Sequence, residues 1–351
     1  MRRALSGRCW AEMKQNIYGM TPARLENYFT ENGENPAKAA IVFDGIYRRR
    51  ISSFDELGLS QRVCGALARD YEISLPETVE ALESADTAKL LLRLGDGEFI
   101  ETVLMRQKFG ACICVSTQVG CSMGCAFCRS GQMKKRRNLS PAEIVGQAAA
   151  VEKQFGVRVS GVSVMGIGEP FDNFDAVRDL CEILCAPKGM ALGEKHITVS
   201  TCGLVPEIYK YADLPHPCNL AISLHAPNNE LRSRLMPVNR AYPLEQLISA
   251  AEHFSVKCNR RVTLEYIMLN GVNDLPENAE QLCDLIGDRN FYVNIIPYNS
   301  ADSEFEKSPR DRIMRFYDVL KKHSIGVTMR REFGAELKAA CGQLRADHEK
   351  S

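Results

Sequence analysis

The chain has 351 residues, a mass of 39.2 kDa and 14 cysteines, and its 44 lysines and arginines balance its 44 aspartates and glutamates. No apolar stretch is long enough to span a bilayer, which excludes an integral membrane protein, and the cysteines are too sparse for a small secreted domain held by disulfides. We therefore expect a cytoplasmic protein with reduced thiols. Any binding to nucleic acid must then depend on a local basic patch, because the net charge is zero.

The first two segments differ in pattern. Residues 1–75 alternate helical periodicity with turn and capping signals, such as Thr21 followed by Pro22 and the Ser-Ser-Phe-Asp-Glu run at 52–56. They predict a small helical accessory domain, which we expect to contact RNA. Residues 76–109 predict a β-hairpin linker whose two strands flank a Gly-Asp-Gly turn at 95–97.

From residue 110 to 345, apolar runs of strand length alternate with longer helical patterns. The predicted strands are 111–115, 161–165, 196–200, 219–224, 262–268, 291–297 and 326–330, and the predicted helices are 141–155, 174–185, 243–254, 276–286 and 309–323. Such alternation indicates parallel strands joined by right-handed crossovers, so the fold class is α/β. We expect a partial (β/α) barrel with its active site at the carboxyl ends of the strands.

Three cysteines within eight residues, Cys121, Cys125 and Cys128, constrain the chemistry most tightly. A closed zinc site or an ordinary iron–sulfur cluster takes four protein ligands, so three cysteines favour a [4Fe-4S] cluster with one iron open to a small molecule. A zinc knuckle with a distant fourth ligand is the alternative. The usual CxxC spacing and its second pair are both missing, which disfavours that alternative.

Polar residues follow the predicted strands at four places. The second strand leads into a glycine-rich turn containing Gly168 and Glu169, and the others end in Ser200, in Ser223-Leu224-His225 and in Asn299. A single such group more often caps a helix or satisfies a loop. Four groups at successive strand ends indicate a binding site at that edge.

Two basic runs, Arg48–Arg50 and Lys134–Arg137, could contact phosphate groups. Taken alone, a basic run is more often a solvated surface. The second run gains weight because it begins six residues after Cys128.

The cysteine triad matches the CxxxCxxC motif of the radical S-adenosylmethionine enzymes, and four further segments narrow the resemblance. They are residues 114–121, 137–147, 235–239 and 339–344. From about residue 16 to 345, the chain resembles the radical S-adenosylmethionine RNA methyltransferases that methylate a ring carbon of adenine. That family includes dual-specificity enzymes acting on carbon 2 in 23S ribosomal RNA and transfer RNA, and resistance enzymes acting on carbon 8.

The resemblance implies a [4Fe-4S] cluster on the three cysteines and S-adenosylmethionine held by the polar strand-end residues. Cys341 matches the cysteine that accepts the methyl group before a radical removes hydrogen from it. Cys114 matches the cysteine that releases the RNA by forming a disulfide, and Glu101 matches the glutamate that takes the ring proton. Without the resemblance, Cys341 would be interpreted as a packing residue and Glu101 as a solvated carboxylate.

The same resemblance implies an RNA partner and a low-potential electron donor such as flavodoxin or ferredoxin, and we expect a monomer. Features of both branches occur, so carbon 8 stays the alternative to carbon 2. Two other classes are open: a radical enzyme acting on a small molecule, in which Cys341 and Cys114 would be idle, and a non-enzymatic iron–sulfur or zinc protein that binds RNA. The remaining cysteines, Cys202 among them, are interpreted as packing residues.

Overall fold

The computed structural model describes residues 14–299 and 304–330. Its first part is helical: α1 (Pro22–Glu31), α2 (Lys38–Phe43) and α3 (Gln61–Asp70). The Thr21 hydroxyl accepts the Arg24 backbone N–H at 3.3 Å, so the predicted helix start is confirmed. A capping box likewise joins Ser53 and Glu56 at the start of a short 3-10 helix.

One ten-stranded sheet organises the rest of the chain. Its strands in chain order are β1 (Glu77–Glu83), β2 (Thr87–Arg93), β3 (Phe99–Gln107), β4 (Gly110–Cys114), β5 (Val159–Val164), β6 (Ile197–Thr201), β7 (Asn219–Ser223), β8 (Val262–Met268), β9 (Phe291–Pro297) and β10 (Gly326–Met329). Neighbours in space are also neighbours in sequence, from β1 at one edge to β10 at the other. Strands β4 to β10 are parallel, and β1 to β4 pair antiparallel. The described sheet is therefore open, which agrees with the predicted partial barrel.

Helices connect the parallel strands, and in chain order they are α4 (Pro141–Phe155), α5 (Phe174–Cys185), α6 (Val205–Ala212), α7 (Asn229–Leu235), α8 (Leu244–Cys258), α9 (Pro276–Ile286) and α10 (Arg310–Lys322). All seven predicted strands and five predicted helices of this region are present. Helices α6 and α7 were not predicted, because two turns are too short to show a clear helical period.

The predicted hairpin is part of a larger meander. Strands β2 and β3 pair as expected, but β1 adds a third antiparallel strand. Its sequence, Glu-Thr-Val-Glu-Ala-Leu-Glu, is exposed along most of its length and has no apolar run. Backbone pairing with β2 holds it, and that pairing has little sequence signal.

The N-terminal helices and the sheet share one hydrophobic core. Two ion pairs join this N-terminal part to the helices that pack on the sheet. Arg24 bonds Asp179 of α5 at 2.5 Å, and Arg50 bonds Glu152 of α4 at 2.8 Å. Among the described residues, the longest apolar helical stretch falls short of what a bilayer crossing requires.

Candidate active site

A cavity opens at the carboxyl ends of the parallel strands, with about 850 Å³ of empty space including its mouth. This is the edge at which the strand-end residues were predicted to meet. The predicted residues in its wall are Cys121, Cys125, Cys128, Gly168, Glu169, Ser200, Ser223 and His225. The structure therefore brings the cysteine triad and most of the polar strand-end residues into one site.

The loop that carries the three cysteines runs from β4 to α4 and is fixed at several points. The Cys121 N–H donates to the Met133 carbonyl at 3.3 Å, and the Ala126 N–H donates to the Leu235 carbonyl at the end of α7 at 2.9 Å. The Phe127 ring meets the His225 ring edge to face, with centroids 4.8 Å apart. These contacts hold the loop against the helix and strand ends that form the opposite wall.

The thiols of this loop lie in a poorly solvated place. Burial is the main cause that raises the pKa of Cys121, to about 11, and the negative charge of Cys128 adds to it. Burial, with the charges of Cys128 and Cys121, raises the pKa of Cys125 further. Three converging thiols are a soft donor set that suits iron, and binding to a metal deprotonates a coordinating thiol outright. The residues present thus fit an iron–sulfur cluster.

The glycine-rich turn after β5 is shaped by residues that tolerate no side chain. Gly168 has φ +111°, and a Cβ there would lie 2.7 Å from the Gln118 side chain and 2.8 Å from the Thr117 hydroxyl. A Cβ on Gly166 would lie 2.7 Å from the Val115 backbone. Only glycine therefore permits this turn, which lets bare backbone face the cavity.

Glu169 is buried, and backbone N–H groups of the chain donate to its carboxylate. Its carboxylate accepts the Phe171 N–H at 3.0 Å and the Cys202 N–H at 2.8 Å. Burial raises its pKa, and hydrogen bonds from the Cys202 and Phe171 backbone and from the Thr201 and Cys202 side chains oppose that rise. The acceptor positions of the carboxylate are therefore largely filled within the chain, and a cationic amino group would share or displace one of these donors.

His225 is neutral. Burial, together with the charge of Arg232, lowers its pKa to about 3. Its Nδ1 accepts the Ile267 N–H at 3.1 Å, which leaves Nε2 as the protonated nitrogen. The residue has φ +57°, and its carbonyl accepts from the Asn273 side chain at 2.8 Å. This anchored ring is a fixed hydrogen-bond donor in the cavity wall.

Three other predicted site residues differ in their placement. The Leu224 side chain is buried in the main core, and its N–H donates to the Glu265 carbonyl at 3.1 Å. Asn299 follows β9, half-buried, and is not part of the cavity wall formed by the described residues. Cys341 lies outside the described residues.

Glu101 and Cys114 lie on adjacent strands. Cys114 is paired in register with Val103, two residues from Glu101, so both side chains lie on one face of the sheet. Cys114 packs there beside Met165, which also lines the cavity. Glu101 is 3% exposed and bonds the Lys89 ammonium at 2.8 Å. The solvated carboxylate expected without the resemblance is therefore wrong.

The basic runs carry less free charge than the sequence suggests. Arg48 donates to the Pro187 carbonyl at 2.6 Å, and Arg50 pairs with Glu152. In the second run, Lys135 pairs with Asp172 at 2.7 Å, Arg136 with Glu98 at 2.7 Å and Arg137 with Glu143 at 2.8 Å. Lys134 differs, because it is exposed and no hydrogen bond or ion pair joins it to another described residue.

Polar residues of the site that were not predicted from the sequence include Glu265, Cys202 and Arg232. Glu265 of β8 lines the cavity, and the Asn294 amide donates to its carboxylate at 2.8 Å. The feature of the sequence that could have indicated it is a single carboxylate residue in a mainly apolar strand. Cys202 is also in the wall and binds Glu169, so interpreting it as a packing residue was incomplete. Arg232 of α7 is fully buried behind the wall, and nothing in its local sequence distinguishes it from a surface arginine.

Comparison with known proteins agrees with this geometry. Residues 115–286 match the model of the radical SAM superfamily. The chain is similar to a probable dual-specificity RNA methyltransferase RlmN of Shouchella clausii, with 48% identity across 96% of this chain and 98% of that protein. It is 46% identical to the protein of the same name from Enterococcus faecalis, over 95% of this chain and 96% of the relative. A crystal structure of a radical SAM methyltransferase from Sphaerobacter thermophilus superimposes with a TM-score of 0.88, at 38% identity over 95% of this chain and all of that one.

Proposed function

Because the chain belongs to the radical SAM superfamily, within the RlmN family of dual-specificity RNA methyltransferases, we propose that it methylates carbon 2 of adenine in RNA. The proposed substrates are 23S ribosomal RNA and transfer RNA. The enzymes of this superfamily use a [4Fe-4S] cluster and S-adenosylmethionine.

The observation that carries the proposal is the meeting of three thiols, a glycine-only turn and buried polar groups in one cavity. We propose Cys121, Cys125 and Cys128 as cluster ligands. Gly168, Glu169, Ser200, Ser223, Leu224, His225 and Asn299 are the proposed contacts to S-adenosylmethionine. For Leu224 the contact would be through backbone, because its side chain is in the core.

When bound, the cluster supplies the electron that cleaves the sulfonium of S-adenosylmethionine. The residues of the chain position the reactants and exclude water. Glu169 and the bare backbone at Gly168 offer acceptors for an amino group. Ser200, Ser223 and the Nε2 of His225 offer donors for a carboxylate or ribose. Burial of these groups strengthens each of the contacts.

A ring carbon of adenine is too electron-poor to take a methyl group by direct displacement, so the chain must carry the methyl group itself. We propose Cys341 as the carrier, because a thiolate is a good nucleophile toward a sulfonium methyl.

After a radical derived from a second S-adenosylmethionine has removed a hydrogen atom from the methyl group on Cys341, its carbon would bond to the ring carbon, and the one electron left over would return to the cluster. Attack by the Cys114 thiolate on the Cys341 sulfur would then form a disulfide, and the electron pair of the broken sulfur–carbon bond would stay with the carbon, which is protonated to a methyl group. Glu101 would take the proton that leaves the ring carbon. The placement of Glu101 and Cys114 on one face of the sheet, with Met165 of the cavity wall packed against the hydrophobic cluster that contains Cys114, supports these roles.

The target adenine must be unpaired or flipped to reach a buried site. We propose that the N-terminal helices and the exposed Lys134 contact the surrounding RNA. We further propose that the enzyme acts as a monomer in the cytoplasm and receives its electron from a flavodoxin or ferredoxin.

Methylation at carbon 8 is the alternative, and one experiment separates the two. Ribosomal and transfer RNA from cells with and without the protein are digested, and methylated adenines are located by mass spectrometry. We expect 2-methyladenosine to disappear from both RNAs when the protein is absent. Loss of 8-methyladenosine would instead support the alternative, and unchanged RNA would contradict both.

A further inference from the structure

Arg232 is a buried cation whose hydrogen-bond acceptors among the described residues are all uncharged. Its side chain is 0% exposed, and its guanidinium donates to four acceptors in the described part of the chain. They are the carbonyls of Leu224 (3.2 Å), Ser223 (3.2 Å) and Cys202 (2.6 Å) and the side-chain oxygen of Asn239 (3.0 Å). None of the four carries charge. Burying a cation without a counter-charge is costly, so its retention calls for an anion that binding would bring.

The position of Arg232 identifies that anion. Two of its acceptors belong to residues of the cavity wall, Ser223 and Cys202. Its helix, α7, ends at Leu235, whose carbonyl accepts the N–H of Ala126 in the cysteine loop. The guanidinium therefore lies behind the cavity wall, on a helix whose end is hydrogen-bonded to the loop of the three cysteines.

We propose that Arg232 is the fixed counter-charge of the iron–sulfur cluster and raises its reduction potential. This inference rests on the proposed function. A cluster core held by three thiolates is an anion, and one added electron makes it more negative. A buried positive charge stabilises the reduced form more than the oxidised form, because the attraction grows with the charge and is weakly screened in the interior. Net charge near the cluster is an established control of such potentials.

A purely structural role makes a different prediction. The four hydrogen bonds of Arg232 join the ends of β6 and β7 to the turn after α7, so its loss would also loosen the site. The rigidity of the site depends on the hydrogen bonds of Arg232, whereas the reduction potential of the cluster depends on the charge of Arg232. Asn239 allows the two to be separated, because it provides one of the four acceptors and is also buried.

The experiment compares Arg232→Gln, Asn239→Ala and Asn239→Asp with the parent protein. Each protein is reconstituted anaerobically and matched for iron and sulfide content, and the cluster is titrated electrochemically with detection by electron paramagnetic resonance, without substrate. Arg232→Gln removes the charge. Asn239→Ala keeps the charge and removes one of the four hydrogen bonds of Arg232, together with the bonds that the Asn239 amide donates to Asn229 and Ser233. Asn239→Asp places a carboxylate against the guanidinium.

We expect Arg232→Gln to lower the reduced-to-oxidised ratio at a fixed potential by about tenfold, a shift of about 59 mV toward negative values for a one-electron couple. Asn239→Asp should shift the potential in the same direction, and Asn239→Ala should leave it near the parent value. Equal potentials for Arg232→Gln and parent, or an equal shift in Asn239→Ala, would overturn the inference. If Arg232→Gln holds no cluster, an unshifted Asn239→Asp would overturn it as well. Absence of any cluster from the parent would instead contradict the proposed function.

Discussion

Gly168 shows how far a single residue defines this site. Its backbone adopts φ +111°, and the space where a Cβ would lie is filled by Gln118 and Thr117. Both the dihedral angle and the close contacts exclude other residues. The glycine-rich pattern was visible in the sequence, but the crowding by a segment fifty residues away was not.

Replacing Gly168 with alanine should damage both stability and binding. We expect a cost of about 1–3 kcal/mol from backbone strain, with additional loss from the two close contacts, and weaker binding of S-adenosylmethionine. Equilibrium dialysis and thermal unfolding of the reconstituted protein measure the two effects. Gly58→Ala is the matched control, because Gly58 also has positive φ but has nothing within 4 Å of its Cβ position. Equal binding by parent and Gly168→Ala would contradict the proposed contact.

The ion pair between Lys89 and Glu101 gives a second test at this scale. Both side chains are largely buried, and the atoms are 2.8 Å apart. Removing one partner leaves an uncompensated charge, so Lys89→Met should lower the free energy of unfolding by about 3–5 kcal/mol. The double variant Lys89→Met with Glu101→Gln should lose less than the sum of the single losses. Urea denaturation measures this coupling. Strictly additive losses would show that the two side chains do not stabilise each other.

The site residues divide by the kind of signal they carry. Cys121, Cys125 and Cys128 were evident because their spacing is local. Glu101 is a candidate only through the resemblance, since its burial depends on strands that pair after folding. Arg232 was not found at all. Its partners come from three separate chain segments, and no local pattern indicates them.

At the scale of elements, ion pairs within the protein reduce the positive charge that the two basic runs can offer to RNA. Arg48 and Arg50 bond the N-terminal helices to the rest of the chain, and Lys135, Arg136 and Arg137 pair with carboxylates. Lys134 is the residue of that second run whose charge stays available to RNA, as far as the described residues show. A run of like charges in a sequence cannot reveal which of its members are already neutralised.

Charge reversal at Lys134 should therefore weaken RNA binding. We expect a smaller slope of the logarithm of affinity against the logarithm of salt concentration, by about one phosphate contact, and unchanged cleavage of S-adenosylmethionine. Filter binding across a salt series measures the slope. Lys322→Glu is the control, since Lys322 is exposed at the end of α10, where the chain enters β10 at the amino end of that strand. Equal slopes for Lys134→Glu and Lys322→Glu would remove Lys134 from the RNA contact.

For the whole molecule, the alternation of strands and helices was enough to predict the α/β class and the partial barrel. Long elements such as α4 and β8 were located to the residue, because each carries a full apolar period and a clear start or stop signal. The short helices α6 and α7 and the exposed strand β1 were missed. Contacts with the rest of the fold stabilise these three elements, and a local sequence pattern does not indicate such contacts.

The central claim is that the three thiols bind a [4Fe-4S] cluster with one iron open to a small molecule. Its most direct test is reconstitution of the purified chain with iron and sulfide in the absence of oxygen. The account predicts one [4Fe-4S] cluster per chain, loss of that cluster in Cys125→Ala, and release of 5′-deoxyadenosine when S-adenosylmethionine and a reductant are added. Protein that binds zinc but no iron–sulfur cluster, or a Cys125→Ala variant that keeps the full cluster, would contradict it.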